Sequence, residues 1–273
     1  MIPAPFDYKR ASSAEEAISL IAEAGDEAKF LAGGHSLLPL MRLRLAQPSV
    51  LIDVGRLTDL SYIRDSGDHI AIGALTRHRD LETSDLLKDQ VPLLAHAASH
   101  VGDPQVRHRG TLGGSIAHSD PASDLPATVL ALGGSMVARG PSGERVIAAG
   151  DFFTGFLESA LAPDELLTEV RVPKVPGAGW SFQKFNRRAQ DWAIVGVAAV
   201  HNGTTGVALV NMGSTPVFAK AVVDAVAGGA SAADAAQKAA DDAEPSADLN
   251  ASVEYRVHLA KVLVRRALEE AGA

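Results

Sequence analysis

The chain has 273 residues, with 33 Asp and Glu against 25 Lys and Arg, a formal net charge of −8 and no cysteine. That length can bury a sizeable core and favours more than one domain, while the acidic balance argues against a general nucleic-acid binder. Without cysteine the chain can hold no disulfide, no thiolate metal site, no cysteine nucleophile and no iron–sulfur cluster.

Met1 to Phe6 lacks the charged and apolar regions of a signal peptide, and no stretch reaches the ~18 uninterrupted apolar residues of a membrane span. The expectation is a soluble, cytoplasmic protein. The first ~55 residues read as a compact βαβ-like unit. Ser12 or Ser13 can cap a helix, with Glu15 and Glu16 in its first turn. Ala14, Ala17, Ile18 and Ile21 give that helix an apolar stripe, and Gly25 stops it. Lys29 to Ala32 reads as a strand running into Gly33 and Gly34, and Val50 to Val54 as a second, buried strand.

His69 to Gly73 predicts a strand, Thr76 begins a helix, and Pro92 to Val101 forms another, with Leu93, Leu94, Ala97, Ala98 and Val101 on one face. Gly102 to Pro121 reads as one long irregular stretch, the kind of loop that usually carries function. Leu125 to Leu132 returns to helix; Ser135 to Arg139, Arg145 to Ala148 and Leu166 to Val172 read as strands. Lys174 to Gly179 looks like a linker. Beyond it, Trp180 to Phe185, Ala193 to His201 and Val207 to Met212 predict strands, the last two joined by a turn over residues 202–206. Residues 217–242 are Ala-rich and helical, interrupted at Gly228 and Gly229. Ser252 to Ala271 predicts an amphipathic helix, with Tyr255, Leu259, Val262, Leu263 and Ala267 inward and Arg256, Lys261, Arg265 and Glu269 in water. The division expected is 1–56, 57–173 and 174–273.

Two glycine-rich segments carry the chemical signal. In the first, an apolar strand ends in Ala32, Gly33, Gly34, His35, Ser36 and Leu37. Glycines let backbone N–H groups turn toward a ligand, and successive N–H groups form an anion-binding nest. An ordinary strand-to-helix turn explains a lone Gly-Gly pair equally well. The second segment, Arg109 to His118, sets Gly113 and Gly114 between Thr111 and Ser115. Neither is a nucleoside-triphosphatase loop or a Rossmann fingerprint. Together they suggest a diphosphate cradled from two sides. Asp124, at the start of a helix, reads either as a carboxylate favoured by the helix dipole or as an acceptor for a ligand hydroxyl or ring N–H. Trp192, after a basic strand end and a polar turn, is either half in the core or a cover for a flat ring. The nine histidines include no H-E-x-x-H, there is no G-x-S-x-G elbow, and His35 beside Ser36 is not a base–nucleophile pair by adjacency alone, so no metal site and no serine triad are expected.

Residues 32–39 together with Thr111 to Ser115, and the continuation from His118 to Pro126, resemble the FAD-binding medium subunits of the molybdenum hydroxylases, the xanthine dehydrogenase family, and among them most the carbon monoxide dehydrogenase branch. The likeness covers essentially the whole chain, including the turn around Arg187, Arg188, Asp191 and Trp192 and the approach to the last helix at Glu254, Tyr255 and Arg256. It implies an α+β protein: a PCMH-like FAD-binding fold of two α/β subdomains, then a C-terminal α+β domain with an antiparallel sheet and helices. It implies FAD held by both glycine segments, with Asp124, Leu161 and Lys184 lining the flavin pocket and Trp192 where that branch carries Tyr. It implies a small iron–sulfur subunit and a large molybdopterin subunit as partners, and quinone, NAD or oxygen as acceptor. It places the complex in the cytoplasm, or peripherally at the inner face of the membrane. No general acid or base is expected, because the flavin carries the redox chemistry. The competing readings are a stand-alone FAD oxidoreductase of the same flavin fold and a non-enzymatic nucleotide-binding or assembly protein.

Overall fold

A computed structural model describes residues 2–273. The chain opens with β1 (Asp7–Arg10), α1 (Ala14–Ala24), β2 (Ala28–Leu31), α2 (Leu37–Leu43) and β3 (Val50–Asp53). The three strands form a parallel sheet in the order β1–β3–β2, which requires helical crossovers. Ser13, rather than Ser12, caps α1, accepting from the Glu16 N–H at 3.2 Å, and Gly25 ends the helix at φ +69°. The stripe of Ala14, Ala17, Ile18 and Ile21 is buried, as its spacing predicts.

Next come β4 (Ile63–Asp65), β5 (His69–Gly73), α3 (His78–Thr83), α4 (Asp85–Gln90), α5 (Pro92–Ser99), α6 (Pro104–Arg109), α7 (Leu112–His118), α8 (Asp124–Ala131), β6 (Ser135–Gly140), β7 (Gly143–Ala148), α9 (Ala149–Phe152), β8 (Phe153–Gly155), β9 (Glu158–Ser159) and β10 (Leu166–Pro173). The main sheet here runs β4–β5–β10–β6–β7 and is antiparallel throughout. Thr76 does not begin a helix. Its hydroxyl donates to the Tyr62 carbonyl at 3.0 Å, and α3 starts two residues later. The stretch from Gly102 to Pro121 is not irregular either. Asp103 caps α6 by accepting from the Val106 N–H at 2.9 Å, and Thr111 caps α7 by accepting from the Gly114 N–H at 3.1 Å. The same polar and glycine residues that suggested a loop are the start signals of two short helices.

The final segment holds β11 (Gly179–Phe185), β12 (Val195–Asn202), β13 (Thr204–Val210), β14 (Val217–Phe218), α10 (Lys220–Ala227), α11 (Ala232–Ala235) and α12 (Val253–Ala271). Its sheet is antiparallel in the order β11–β12–β13–β14. The expected five-residue turn is a one-residue turn: Asn202 pairs with Thr204 across Gly203, which takes φ +73°. Thr204 to Gly206 are therefore strand, and β12 begins at Val195 rather than Ala193. Residues 217 and 218 are strand, not helix. Alternate residues of β12 serve two cores. Ala198 and Val200 join the core built around α5 and α8, while Val195, Val197 and Ala199 join the one under α12. The amphipathic reading of α12 fails at its first turn. Tyr255 is 42% exposed, whereas Arg256 is 2% exposed and spends its guanidinium on internal carbonyls. A cation expected in water is buried because it has partners there.

Candidate functional site

Every residue singled out from sequence as cofactor-binding lines one cleft of about 470 Å³: Ala32, Gly33, Gly34, His35, Ser36, Leu37, Thr111, Gly113, Gly114, Ser115, Asp124, Leu161, Lys184 and Trp192. The size falls in the range of ligand and cofactor sites. All three segments contribute walls.

The first glycine segment is the turn from β2 into α2. Gly34 sits at φ +77°, a conformation that glycine adopts without steric cost. Among the described residues, the backbone N–H groups of Gly33, Gly34, His35 and Ser36 donate to no protein acceptor. The Ser36 hydroxyl makes no capping bond to α2. Successive free donors around such a turn are what a phosphate group requires. Gly33 has a second constraint: a Cβ there would stand 2.3 Å from the Arg109 carbonyl oxygen, so the two glycine segments meet backbone to backbone. Arg77 braces the junction, its Nη1 donating to that same carbonyl and its Nη2 to the Gly55 carbonyl at 3.4 Å. Burial, followed by the charges of Arg109 and others, lowers the pKa of His35 beside this loop. The cations of Arg77 and Arg109 near this loop favour an anion there.

The second segment works differently from its expectation as a matching cradle. Its N–H groups are taken: Leu112 donates to Thr76 O at 2.9 Å, Gly113 to Ala74 O at 2.8 Å, Gly114 to the Thr111 hydroxyl and Ser115 to Thr111 O at 3.0 Å. A Cβ on Gly113 would lie 2.4 Å from Ala74 Cβ, so this glycine allows α7 to press onto the chain leaving β5. The segment offers a close, flat wall and the Ser115 hydroxyl rather than a second row of free donors.

The same cleft is also lined by Asp124 and Lys184. Asp124 opens α8; Lys184 comes from β11. Lys184 Nζ donates to Asp124 Oδ2 at 2.7 Å and to the His100 carbonyl at 2.9 Å, and both side chains are 6% exposed. Asp124 Oδ1 is buried without a hydrogen-bond partner among the described residues. Burial raises the Asp124 pKa, against the pull of Lys184. Leaving a buried acceptor unpaired costs about 1–3 kcal/mol, so this oxygen marks a place where a donor is missing. Trp192 stands at the rim, 60% exposed, which overturns its alternative reading as half-core.

His78 was not legible as a cleft residue, because it carries no motif. It follows Arg77 into α3, is nearly fully buried, and its Nδ1 has no partner among the described residues. Burial, with the charges of His35, Arg77 and Arg107, pushes its pKa down to about 4. Gly110 leaves room for it: a Cβ there would stand 2.8 Å from His78 Nε2.

One cleft thus combines backbone donors free for a phosphate, an unsatisfied buried carboxylate oxygen and an exposed aromatic side chain. Residues 4–175 match the family described as the FAD binding domain in molybdopterin dehydrogenase, and residues 180–271 match the carbon monoxide dehydrogenase flavoprotein C-terminal domain. The chain belongs to this family of FAD-binding oxidoreductase subunits. It is 42% identical to the carbon monoxide dehydrogenase medium chain of Hydrogenophaga pseudoflava, over 100% of this chain and 99% of that one. It is 36% identical to the glyceraldehyde dehydrogenase medium chain of Sulfolobus acidocaldarius, over 99% of each. The solved structure of Hydrogenophaga pseudoflava carbon monoxide dehydrogenase superposes with a TM-score of 0.96 at 41% identity, covering 100% and 99% of the two chains. Quinoline 2-oxidoreductase from Pseudomonas putida superposes at 0.92 with 32% identity, covering 99% and 98%. Among the described residues, no helix is long and apolar enough to cross a membrane.

Proposed function

We propose that this chain is the flavoprotein subunit of a molybdenum hydroxylase complex of the carbon monoxide dehydrogenase kind. In this reading it works in the cytoplasm, joined to a small iron–sulfur subunit and a large molybdopterin subunit. The observation that carries the reading is the pairing, in one cleft, of four free N–H groups at Gly33 to Ser36 with the unsatisfied Oδ1 of Asp124. Both deficits are what FAD would satisfy, since its diphosphate is an acceptor and its ring system carries donors.

FAD, when bound, accepts electrons and releases them again. The chain's own residues position and isolate it. Ala32 to Leu37 hold the phosphates with backbone donors and the Ser36 hydroxyl, while Arg77 fixes the loop. Thr111, Gly113, Gly114 and Ser115 line the cleft and would face the bound cofactor. Asp124 would accept from the ring end with Oδ1, while Lys184 fixes the carboxylate through Oδ2 and opposes the pKa rise that burial causes. Leu161 keeps water from one side and Trp192 covers a ring face. No group of this chain is assigned proton transfer. With FAD bound, the cleft would take electrons from clusters of the small subunit and pass them to quinone, NAD or oxygen. We divide the chain into 1–56, 57–173 and 174–273; the parallel sheet β1–β3–β2, the sheet β4–β5–β10–β6–β7 and the sheet β11–β12–β13–β14 support this reading, and residues of all three parts line the cleft.

The test is direct. The purified chain, titrated with FAD, is expected to take up one equivalent with a shifted visible spectrum, and the tagged chain to co-purify with an iron–sulfur and a molybdopterin subunit. A chain that folds but binds no FAD refutes the cofactor assignment; a flavin-loaded chain that works without partners refutes the subunit assignment.

A further inference from the structure

Arg256, at the start of α12, lies outside the cleft, yet its charge is buried. Its Nη1 donates to the carbonyls of Ile194 and, at 3.3 Å, of Asn211. Its Nη2 pairs with Asp248 at 2.7 Å. Asn211 stands at φ +61° just after β13. Its Nδ2 donates to the Ala193 carbonyl at 2.8 Å and the Ile194 carbonyl at 3.4 Å, and its N–H donates to the Pro121 carbonyl at 2.8 Å. Ala193 and Ile194 directly follow Trp192, and Pro121 precedes Asp124 by three residues. One asparagine therefore fastens both chain segments that carry the two ring-end residues of the cleft. The hairpin bearing Trp192 is held again from the same side, since Arg187 Nη1 donates to Asn250 Oδ1 at 3.2 Å. A non-glycine residue in the left-handed region and a buried cation are both costly, and both are found at this knot.

We infer that Asn211 and Arg256 are positioning residues that fix Trp192 relative to Asp124, so that the C-terminal domain sets the stacking of the flavin ring. The link to the flavin rests on the function proposed above; the ordering of Trp192 does not. Without the knot, Trp192 would keep its identity and lose its place. Within the hairpin itself, Arg188 pairs with Asp191, Asn186 Nδ2 donates to the Arg188 carbonyl at 2.9 Å, and the Ile194 N–H donates to the Phe185 carbonyl at 2.8 Å; these bonds shape the loop, whereas Asn211, Arg256 and Asn250 tie it to the rest of the chain.

The experiment uses the full chain with Trp180→Phe, which leaves Trp192 as the only tryptophan. Asn211→Gly removes the carboxamide while tolerating the positive φ, so folding should survive. Arg256→Lys keeps a cation for Asp248 but cannot reach both carbonyls. In the parent without FAD, Trp192 should show high emission anisotropy; Asn211→Gly should lower it, and Arg256→Lys should lie between. With saturating FAD, the parent should show strong quenching of Trp192, and Asn211→Gly should lose roughly half or more of it, as a stacked ring becomes a mobile one. Unchanged anisotropy in folded Asn211→Gly would overturn the inference. Lowered anisotropy with undiminished quenching would overturn its link to ring stacking. If the parent binds no FAD, the function proposed above fails, while the anisotropy comparison still decides whether the knot orders Trp192.

Discussion

His78 makes the chain's stability depend on pH in a calculable way. The imidazole is neutral in the fold, with a pKa near 4 against an ordinary value of 6.5, because burial and the facing charges of His35, Arg77 and Arg107 oppose its protonation. In the unfolded chain it titrates normally. Its contribution is thus fully present above the unfolded pKa and is lost as the pH falls toward the folded one. Linkage gives a loss of about 2 kcal/mol between about pH 7.5 and about pH 5, and about 3 kcal/mol by the time the folded pKa is passed. Carboxylates titrate in part of the same window, so the comparison must be with His78→Gln, which fills the site with a neutral amide. Urea unfolding at several pH values is the assay. The variant should be less stable than the parent at pH 7.5 by a packing cost that is nearly constant with pH. The gap between the two should narrow by about 2 kcal/mol on going to pH 5. Parallel stability curves for parent and variant would show that His78 is not held neutral and would refute the reasoning.

Other expectations concern the cleft's walls. Gly113→Ala would drive a methyl to 2.4 Å from Ala74 Cβ and 2.7 Å from its carbonyl oxygen, whereas Gly150→Ala meets nothing within 4 Å. The first should lower stability by about 1–3 kcal/mol and the second should leave it unchanged or raise it by up to about 1 kcal/mol, read by thermal melting. Asp124→Asn strands the Lys184 cation and should cost about 3–5 kcal/mol, while the double change Asp124→Leu with Lys184→Met should restore much of that stability and still fail to retain FAD. Added FAD should raise the melting temperature of the chain, with about 2.7 kcal/mol of stabilisation at a hundredfold excess over Kd, and Gly33→Ala should abolish most of this gain.

The parts of the fold that were legible in the sequence are those governed by local periodicity. The stripe of α1, the strands β5, β6 and β10, and the length of α12 follow from spacing alone. Residues 102–121 resemble a loop in sequence because Asp, Gly and Pro mark helix starts as well as loops, and only the capping bonds of Asp103 and Thr111 decide between them. Periodicity puts Arg256 in water because it weighs charge against burial and cannot see the carbonyls of Ile194 and Asn211 that compensate the charge. The residues that the resemblance assigns to the site line one cleft, but the contrast between them is not legible in the sequence. Gly33 and Gly113 look alike in sequence, yet one lies among free N–H groups and the other donates to Ala74. That difference depends on which strand each glycine faces. His78 is not legible as a cleft residue because its perturbed chemistry comes first from burial, and then from His35 and Arg107, which are distant in sequence, as well as from its neighbour Arg77.

The hydrogen bonds of Lys184 have a consequence for how the protein matures. This one ammonium, from a strand of the last segment, neutralises a carboxylate on α8 and caps the carbonyl of His100 after α5. The cleft floor is therefore incomplete on any nascent chain that has not yet emitted β11. A growing polypeptide would expose Asp124 to water, with its charge solvated and no fixed acceptor to offer. A cleft that needs this ammonium closes late, and its closure reports that β11 has joined the elements made before it.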